Sequence, residues 1–238
     1  MSSRLEKSVW ITGASSGIGK SAALEFARRG VNVFVSSRRK DELQKINDEL
    51  LVEKLNVNIH TLDITSLAEV KEISDKILSR TKIDCLINNA GVTSFKTVEQ
   101  SSLEEIEKII VTNLLGSIYA IKSILPSMIE NKGGTIINIL SVVTKKVFTH
   151  SAAYSASKMG LLGFTNSLRE EVRKYNIKVI NISPGATNTQ MWSSKIIEEN
   201  SDRMLNTKEI AKIIYWAFEQ KEKLVMEEIL IRPIEGDL

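Results

Sequence analysis

The residues of this chain best suited to chemistry are a tyrosine and a lysine four positions apart, in the run Ser151-Ala-Ala-Tyr154-Ser-Ala-Ser-Lys158. On a helix that spacing puts both side chains on one face. A free phenol titrates near pH ~10. An ammonium about 4 Å away, at an effective dielectric of about 20, is worth up to ~4 kcal/mol, or up to ~3 pK units. Such a phenol exchanges a proton near neutral pH, where general acid–base catalysis is most effective. The same spacing arises by chance in many helices, so the pair needs corroboration from the rest of the site.

A second chemical feature lies near the start of the chain, in Thr12-Gly13-Ala-Ser-Ser-Gly17-Ile-Gly19. Glycine allows a sharp reversal and a close approach of backbone to a ligand. Where a strand enters such a turn and a helix leaves it, free N–H groups and the positive helix end suit a pyrophosphate. The spacing G-x-x-x-G-x-G differs from the commonest dinucleotide fingerprint, G-x-G-x-x-G. NAD sites place an acid about 20 residues further on, against the ribose 2′-hydroxyl. Here that place holds Ser36-Ser37-Arg38-Arg39-Lys40. With no carboxylate there, Ser37 and Arg38 predict a 2′-phosphate, hence NADP in preference to NAD.

Positioning these groups requires a regular scaffold, and the hydrophobic pattern supplies one. Short β-branched runs at 9–12, 31–36, 57–62, 83–87, 135–140, 178–183 and 228–231 predict strands. Longer amphipathic stretches at 17–29, 41–54, 66–79, 101–128, 152–175 and 207–220 predict helices. Gly30 is placed to stop the first helix, and Ser66 with Glu69 has the form of a capping box. Pro126 is expected to kink or end the fourth helix, because proline has no N–H for the ladder. Strands alternating with helices of this length predict an α/β fold: one doubly wound, Rossmann-type domain over residues 1–238, with a parallel sheet of about seven strands and helices on both faces.

Composition narrows the function. The 238 residues carry 42% hydrophobic and 26% charged side chains, as an ordinary globular chain does. A net charge of +3, with both signs interspersed, argues against a nucleic-acid surface. One cysteine, Cys85, and two distant histidines, His60 and His150, exclude a disulfide framework and predict no metal site. No apolar run approaches the ~18 residues of a membrane span, and the polar N-terminus lacks a signal-peptide core. These features predict a cytoplasmic protein without a membrane partner.

The order of several further motifs resembles the short-chain dehydrogenase/reductase family along nearly the whole chain. The matching pieces are Thr12-Gly13-x-x-x-Gly17-x-Gly19, Asp63-Ile64, Asn88-Asn89-Ala90-Gly91, Asn113 in Asn113-Leu-Leu-Gly116, Ser141, Tyr154-x-x-x-Lys158 and Pro184-Gly185. The resemblance implies that Tyr154 is the general acid for carbonyl reduction and the base for alcohol oxidation. It implies that Lys158 lowers the tyrosine pKa and holds the nicotinamide ribose, that Ser141 binds the substrate oxygen, and that Asn113 holds a water linking Lys158 to solvent. It places Gly13, Ser15, Ser16, Gly17, Ile18 and Gly19 around the phosphates, and Asp63 and Ile64 beside the adenine. Asn89, Ala90 and Gly91 would line the adenosine and ribose region, and Pro184, Gly185, Thr187 and Thr189 the nicotinamide half. Two positions depart from the family pattern. Leu140 replaces a frequent second serine, and Ser16 replaces a basic residue common in NADP-preferring members, so the cofactor expectation rests on Arg38.

Candidate substrate contacts are Ser141, Val143, Phe148, His150, Met191 and Trp192, a mixed apolar pocket with one imidazole. The segment 185–202 has no strong helical period and reads as a mobile loop over the cofactor. The C-terminal run with Met191-Trp192 resembles two subgroups, the 3-oxoacyl carrier-protein reductases and bacterial sepiapterin-reductase-like enzymes. A pterin needs an acid beside its ring, for which Asp237 and Glu235 are the nearest guesses; a carrier protein needs a basic surface, for which Lys145-Lys146 stands ready. The expected partner is a small carbonyl or alcohol. The resemblance also implies a homotetramer or homodimer packed through the helices bearing Asn113 and Tyr154, for which Ile109, Leu114, Ile118, Leu161, Leu162 and Phe164 are candidates. The competing reading is a dinucleotide-binding sensor or scaffold without catalysis.

Overall fold

The computed structural model describes residues 7–220 and 223–238. The reading of the first residues as a polar leader-free start falls mostly outside them. Strands β1 (Ser8–Thr12), β2 (Asn32–Ser37), β3 (Asn58–Thr61), β4 (Cys85–Asn88), β5 (Gly134–Ile139), β6 (Ile177–Pro184) and β7 (Glu228–Ile231) form one sheet in the order β3-β2-β1-β4-β5-β6-β7. Every pairing is parallel. The chain steps outward from β1 to β3, then crosses back to β4, and this reversal opens a crevice beyond the C-terminal ends of β1 and β4.

Alternation along the strands divides the core between the two faces. Val9 and Ile11 of β1 pack on one side with Phe26, Leu43, Ile46, Ile210 and Ile214. These come from α1 (Gly17–Arg28), α2 (Lys40–Val52) and α8 (Thr207–Glu219). Trp10 points the other way and joins Val70, Ile77, Ile121, Ile124, Met128 and Leu168. Those belong to α3 (Leu67–Leu78), α5 (Gly116–Glu130) and α6 (Ala152–Val172). Burial on both faces is why the strands read as nearly continuous apolar runs.

Five local expectations change. The long helix expected at 101–128 is α4 (Leu103–Ile110), a π-helical turn at Val111–Leu115, and α5. Pro126 lies inside α5 and does not end it. Burial of Ile121, Ile124 and Met128 on either side of Pro126 offsets the ~3 kcal/mol cost of proline, at about 1.5–3 kcal/mol per side chain. The box at Ser66 is half formed: Ser66 Oγ accepts from the Glu69 N–H, whereas the Glu69 carboxylate accepts from the Asp63 N–H. The expected loop at 185–202 contains a helix, α7 (Ser194–Asn200), capped by Ser193. No residue of α7 is buried, so it carries no apolar period by which to be seen. Finally, the 28 residues Leu103–Glu130 are long and apolar enough to cross a membrane, contrary to the expectation that no run approaches that length; here α5 packs on α3 and α4 on α6.

A buried amide ladder ties the site-bearing strand ends together. Asn88 Nδ2 donates to Asn138 Oδ1 at 2.9 Å, and Asn138 Nδ2 donates to Asn181 Oδ1 at 3.2 Å, crossing β4, β5 and β6. Thr165 Oγ1 of α6 donates to the same Asn181 oxygen at 3.1 Å. Asn88 Oδ1 already lacks a partner. Replacing Asn138 by alanine leaves the Asn88 amide wholly unpaired, at a cost of about 1–3 kcal/mol per orphaned group. Asn138→Ala is expected to lose about 2–4 kcal/mol in urea unfolding, and a loss under ~0.5 kcal/mol would show that the ladder contributes nothing.

Candidate active site

A cavity of about 700 Å³ opens at the C-terminal ends of β1, β4, β5 and β6. At one end lies the glycine turn. Gly13 and Gly17 have φ of +65° and +56°, in the left-handed region that glycine adopts freely. A Cβ on Gly13 would stand 2.5 Å from Ala90 Cα, so the turn after β1 and the turn after β4 touch backbone to backbone. Ser16 precedes α1 without capping it, and the first turn of α1 holds no acid. The first amides of α1 therefore have no side-chain acceptor, which leaves them available to an anion in the cavity. Gly13, Ser15, Ser16, Gly17 and Ile18 line the cavity. Gly19 does not. It leaves room for the Asn89 side chain, which donates to the Thr12 carbonyl at 3.2 Å and the Gly13 carbonyl at 2.9 Å. The third glycine serves packing behind the turn, where any side chain would displace Asn89.

The basic run at the end of β2 also differs from expectation. Ser37 and Arg38 line the cavity as anticipated, but Arg39 lies over the glycine turn. Its guanidinium donates to Ser15 Oγ at 2.9 Å, Ser16 Oγ at 2.8 Å and Gln190 Oε1 at 3.2 Å. Asp63 and Ile64 line the same end. Burial alone would raise the Asp63 pKa, but hydrogen bonds from Thr65 N–H and Oγ1, with the charge of Arg38, bring it below the usual range. Asn89, Ala90 and Gly91 follow on the wall, then Pro184, Gly185, Thr187 and Thr189. Thr93 Oγ1, buried and without a partner, also belongs to the lining.

The other end gathers Ser141, Tyr154 and Lys158. Ser141 follows β5, and its Oγ accepts from the Val143 N–H at 3.3 Å. Lys158 reaches back from α6 and donates from Nζ to the Ile139 carbonyl at 2.7 Å. Its ammonium stands 5.7 Å from the centre of the Tyr154 ring. The sequence predicted a phenol made acidic by this ammonium, and the structure reverses that expectation. Burial pushes the Tyr154 phenol up to about 12, with Ser141 as the group that favours its ionised form. Burial also lowers Lys158 to about 8. The ammonium is committed to a backbone carbonyl and is itself desolvated, so loss of hydration outweighs its attraction for a phenolate.

Asn113 sits behind this group, buried in the π-helical turn and outside the cavity lining. Its Oδ1 accepts from the Val92 N–H at 2.8 Å, while Nδ2 donates to the Val92 carbonyl and to Ser157 Oγ, each at 2.9 Å. An amide so engaged clamps the turn after β4 to the helix. A Cβ on Gly91 would lie 3.3 Å from Asn113 Oδ1 and 3.7 Å from Lys158 Nζ, which explains glycine there.

Of the expected substrate contacts, Val143, Phe148, Met191 and Trp192 line the cavity. His150 does not: it is exposed at φ +60°, on a left-handed corner that keeps it out of the lining. Phe95, Asp237 and Leu238 line the cavity as well. Phe95 stacks on Trp192 with ring centres 4.8 Å apart and planes 12° from parallel. No periodicity in the loop after β4 could have announced Phe95, because its partner is nearly a hundred residues away. Among the described residues no group of three or more His, Cys, Asp or Glu side chains is arranged to hold a metal.

An open parallel sheet with a glycine turn at its switch point and a Ser–Tyr–Lys group beside it defines a class, and comparison supplies its name. The sequence profile of the short chain dehydrogenase family matches residues 7–200, and this chain belongs to that family of oxidoreductases. It is 35% identical over 236 residues to a sepiapterin reductase of Chlorobaculum tepidum, covering 96% of each chain. It is 32% identical over 231 residues to an uncharacterised oxidoreductase of Staphylococcus saprophyticus, covering 96% of this chain and 98% of that one. The fold superposes on an alcohol dehydrogenase of the archaeon Thermococcus sibiricus, complexed with 5-hydroxy-NADP, at a TM-score of 0.89 and 28% identity over 98% of this chain and 99% of the other. It matches an actinorhodin polyketide ketoreductase with NADPH equally well, at 0.89 and 27% identity over 98% of each.

The depressed Lys158 pKa makes stability depend on pH. Between about 8 and the ordinary 10.5, the folded state has released this proton while the unfolded chain still holds it. The unfolded state then binds more protons, so the Lys158 contribution to stability rises with pH across that window, by up to about 3 kcal/mol. Urea unfolding of the parent and Lys158→Met, compared at pH 7.5 and 10, should show the parent gaining on the variant; no relative gain would mean that Lys158 titrates normally.

Proposed function

We propose that this oxidoreductase is an NADP(H)-dependent reductase of small carbonyl compounds, working as one catalytic domain over residues 1–238. The observation that carries the reading is the grouping of Ser141, Tyr154 and Lys158 at one end of a cavity whose other end is an uncapped helix start under Arg39. The lining fits a dinucleotide. The backbone contact of Gly13 with Ala90 keeps the turn tight, and Ser15, Ser16 and Thr93 offer hydroxyls. Arg38 and Arg39 offer charge-assisted donors for a 2′-phosphate, and no carboxylate stands within Ser36-Ser37-Arg38-Arg39-Lys40.

Gly13, Ser15, Ser16, Gly17 and Ile18 would hold the phosphates, with Ser37, Arg38 and Arg39 at the 2′ position. Asp63, Ile64, Asn89, Ala90 and Gly91 would enclose the adenosine half, and Pro184, Gly185, Thr187 and Thr189 the nicotinamide half, whose ribose Lys158 would hold. The bound cofactor supplies the hydride. Ser141 donates a hydrogen bond to the substrate oxygen, where negative charge develops. Tyr154 gives that oxygen its proton, completing the alcohol. A phenol kept protonated across the physiological range suits reduction, because a developing alkoxide is basic enough to take its proton. Asn113 would position the turn through its bonds to Val92.

The Chlorobaculum relative is named for sepiapterin and the actinorhodin enzyme for a polyketide ketone, so the substrate class we favour is a ketone on a ring or extended acyl chain. The resemblance to oligomeric family members supports a homo-oligomer, for which the half-buried Leu114, Ile118 and Leu162 are the remaining candidates; Phe164 packs against the core, and Ile109 and Leu161 are buried within the chain itself.

NADPH oxidation with acetoacetyl thioester, sepiapterin, a diketone or a simple ketone tests the reading, and Tyr154→Phe should lower kcat about 10²–10⁴-fold on the active substrate. Melting-temperature shifts with NADPH but no turnover of any carbonyl would favour a non-catalytic binder instead. Arg38→Ala and Arg39→Ala should each raise the KM for NADPH about tenfold or more and leave that for NADH nearly unchanged, as expected for loss of a charge-assisted hydrogen bond. Equal effects on both cofactors would remove the 2′-phosphate assignment.

A further inference from the structure

β7 and the C-terminal segment beyond it are bound to the loop after Ser141, the turn after β6 and the turn after α7. The segment's course turns at Gly236, which has φ +91° and whose N–H donates to the Pro233 carbonyl at 2.9 Å. That reversal brings Asp237 back against Arg232, whose Nε and Nη2 donate to Asp237 Oδ1 and Oδ2 at 3.1 and 2.7 Å. Asp237 Oδ2 also accepts from Lys146 Nζ at 3.0 Å, and Lys146 stands in the loop that follows Ser141. The same ammonium lies 5.3 Å from the centre of the Phe148 ring, which lines the cavity. Nearby, Lys145 pairs with Glu228 of β7 at 2.5 Å, and Arg203, next to α7, pairs with Glu235 at 3.1 Å. The backbone joins in through the Gly185 N–H, which donates to the Ile231 carbonyl at 2.7 Å.

We propose that Asp237 is a positioning residue of the substrate site: it latches the C-terminal segment onto the loop after Ser141 and, through Lys146, holds Phe148 in the cavity wall. This rests on the reductase reading of the cavity. Pairs between exposed charges are weak, but Asp237 differs from its neighbours. Its side chain is only 5% exposed, against 56% for Lys146 and 42% for Arg232. A carboxylate removed from water and held by two cations has few ways to satisfy its oxygens except this geometry. Burial alone would raise its pKa, and the two cations outweigh that and keep it ionised. Asp237 itself lines the cavity, so the latch and the pocket wall are one surface. The loop it holds begins at Ser141, which the reductase reading sets against the substrate oxygen.

The latch makes two separable demands. In the ligand-free protein, Asp237→Asn should speed amide exchange in residues 142–150 at least tenfold while β5 stays protected. Lys146→Met, a change at a mostly exposed residue, should do the same from the other side of the contact and keeps the test available if the first variant folds poorly. In turnover with sepiapterin as the carbonyl probe, both variants should raise the KM for the carbonyl about fivefold or more, with NADPH affinity within twofold of the parent and kcat little changed. The parent's own carbonyl KM should rise with added salt, which screens the pairs, and Asp237→Asn should lose that salt dependence. Exchange within twofold of the parent in both variants would overturn the latch, as would a parallel loss of NADPH affinity. Failure of the parent to reduce any carbonyl would refute the reductase reading alone, because the exchange measurement decides the latch without turnover.

Discussion

The site depends on a single buried cation held by a backbone carbonyl. Lys158 leaves α6, reaches the end of β5 and donates a hydrogen bond to the Ile139 carbonyl. An ammonium in that place is costly to bury, and the structure spends a hydrogen bond on it at one defined point. That bond fixes the rotation of α6 against the sheet, and with it the height of Tyr154, one helical turn earlier. Ser141 lies two residues beyond Ile139 on the same strand exit, so phenol, hydroxyl and ammonium are set by one contact. The same burial that orders them keeps the phenol protonated and brings the ammonium near its titration point.

Supporting this contact is a set of amides whose function is to hold loops. Asn113 grips both backbone groups of Val92, Asn89 grips the carbonyls of Thr12 and Gly13, and the Asn88–Asn138–Asn181 ladder joins three strand ends. Loops at the C-terminal edge of a parallel sheet have no ladder of their own, and their backbone groups must be satisfied by side chains. Glycines at positions 13, 19 and 91 stand where these contacts close in. The turn after β4 therefore serves as a common buttress, touching the glycine turn on one side and Lys158 on the other.

The two ends of the cavity are built differently. At the glycine turn, rigid backbone and the Arg39 guanidinium leave little freedom. At the substrate end, Phe95 and Trp192 stack across two loops, and ion pairs bind the loop after Ser141 and the turn after α7 to β7 and the C-terminal segment. Such contacts exchange more readily than a packed core, which is where a family with a shared chemistry can vary its substrates.

The sequence by itself determined the architecture and the chemical class. The period-2 and period-3.6 patterns, the Thr12–Gly19 turn and the Tyr154–Lys158 spacing are local properties, written in neighbouring residues. It also named Ser141 and the apolar wall formed by Val143, Phe148, Met191 and Trp192. What it could not supply were quantities that arise between distant segments. The direction of the Tyr154 pKa depends on how much of its surroundings is protein, and the committed partner of Lys158 is a carbonyl on another element. Arg39 over the turn, His150 outside the cavity, Gly19 behind Asn89 and Phe95 in the wall are likewise decided by where loops meet. Side-chain direction at a loop has no period to betray it, and burial becomes a property of a residue only once the chain has folded around it.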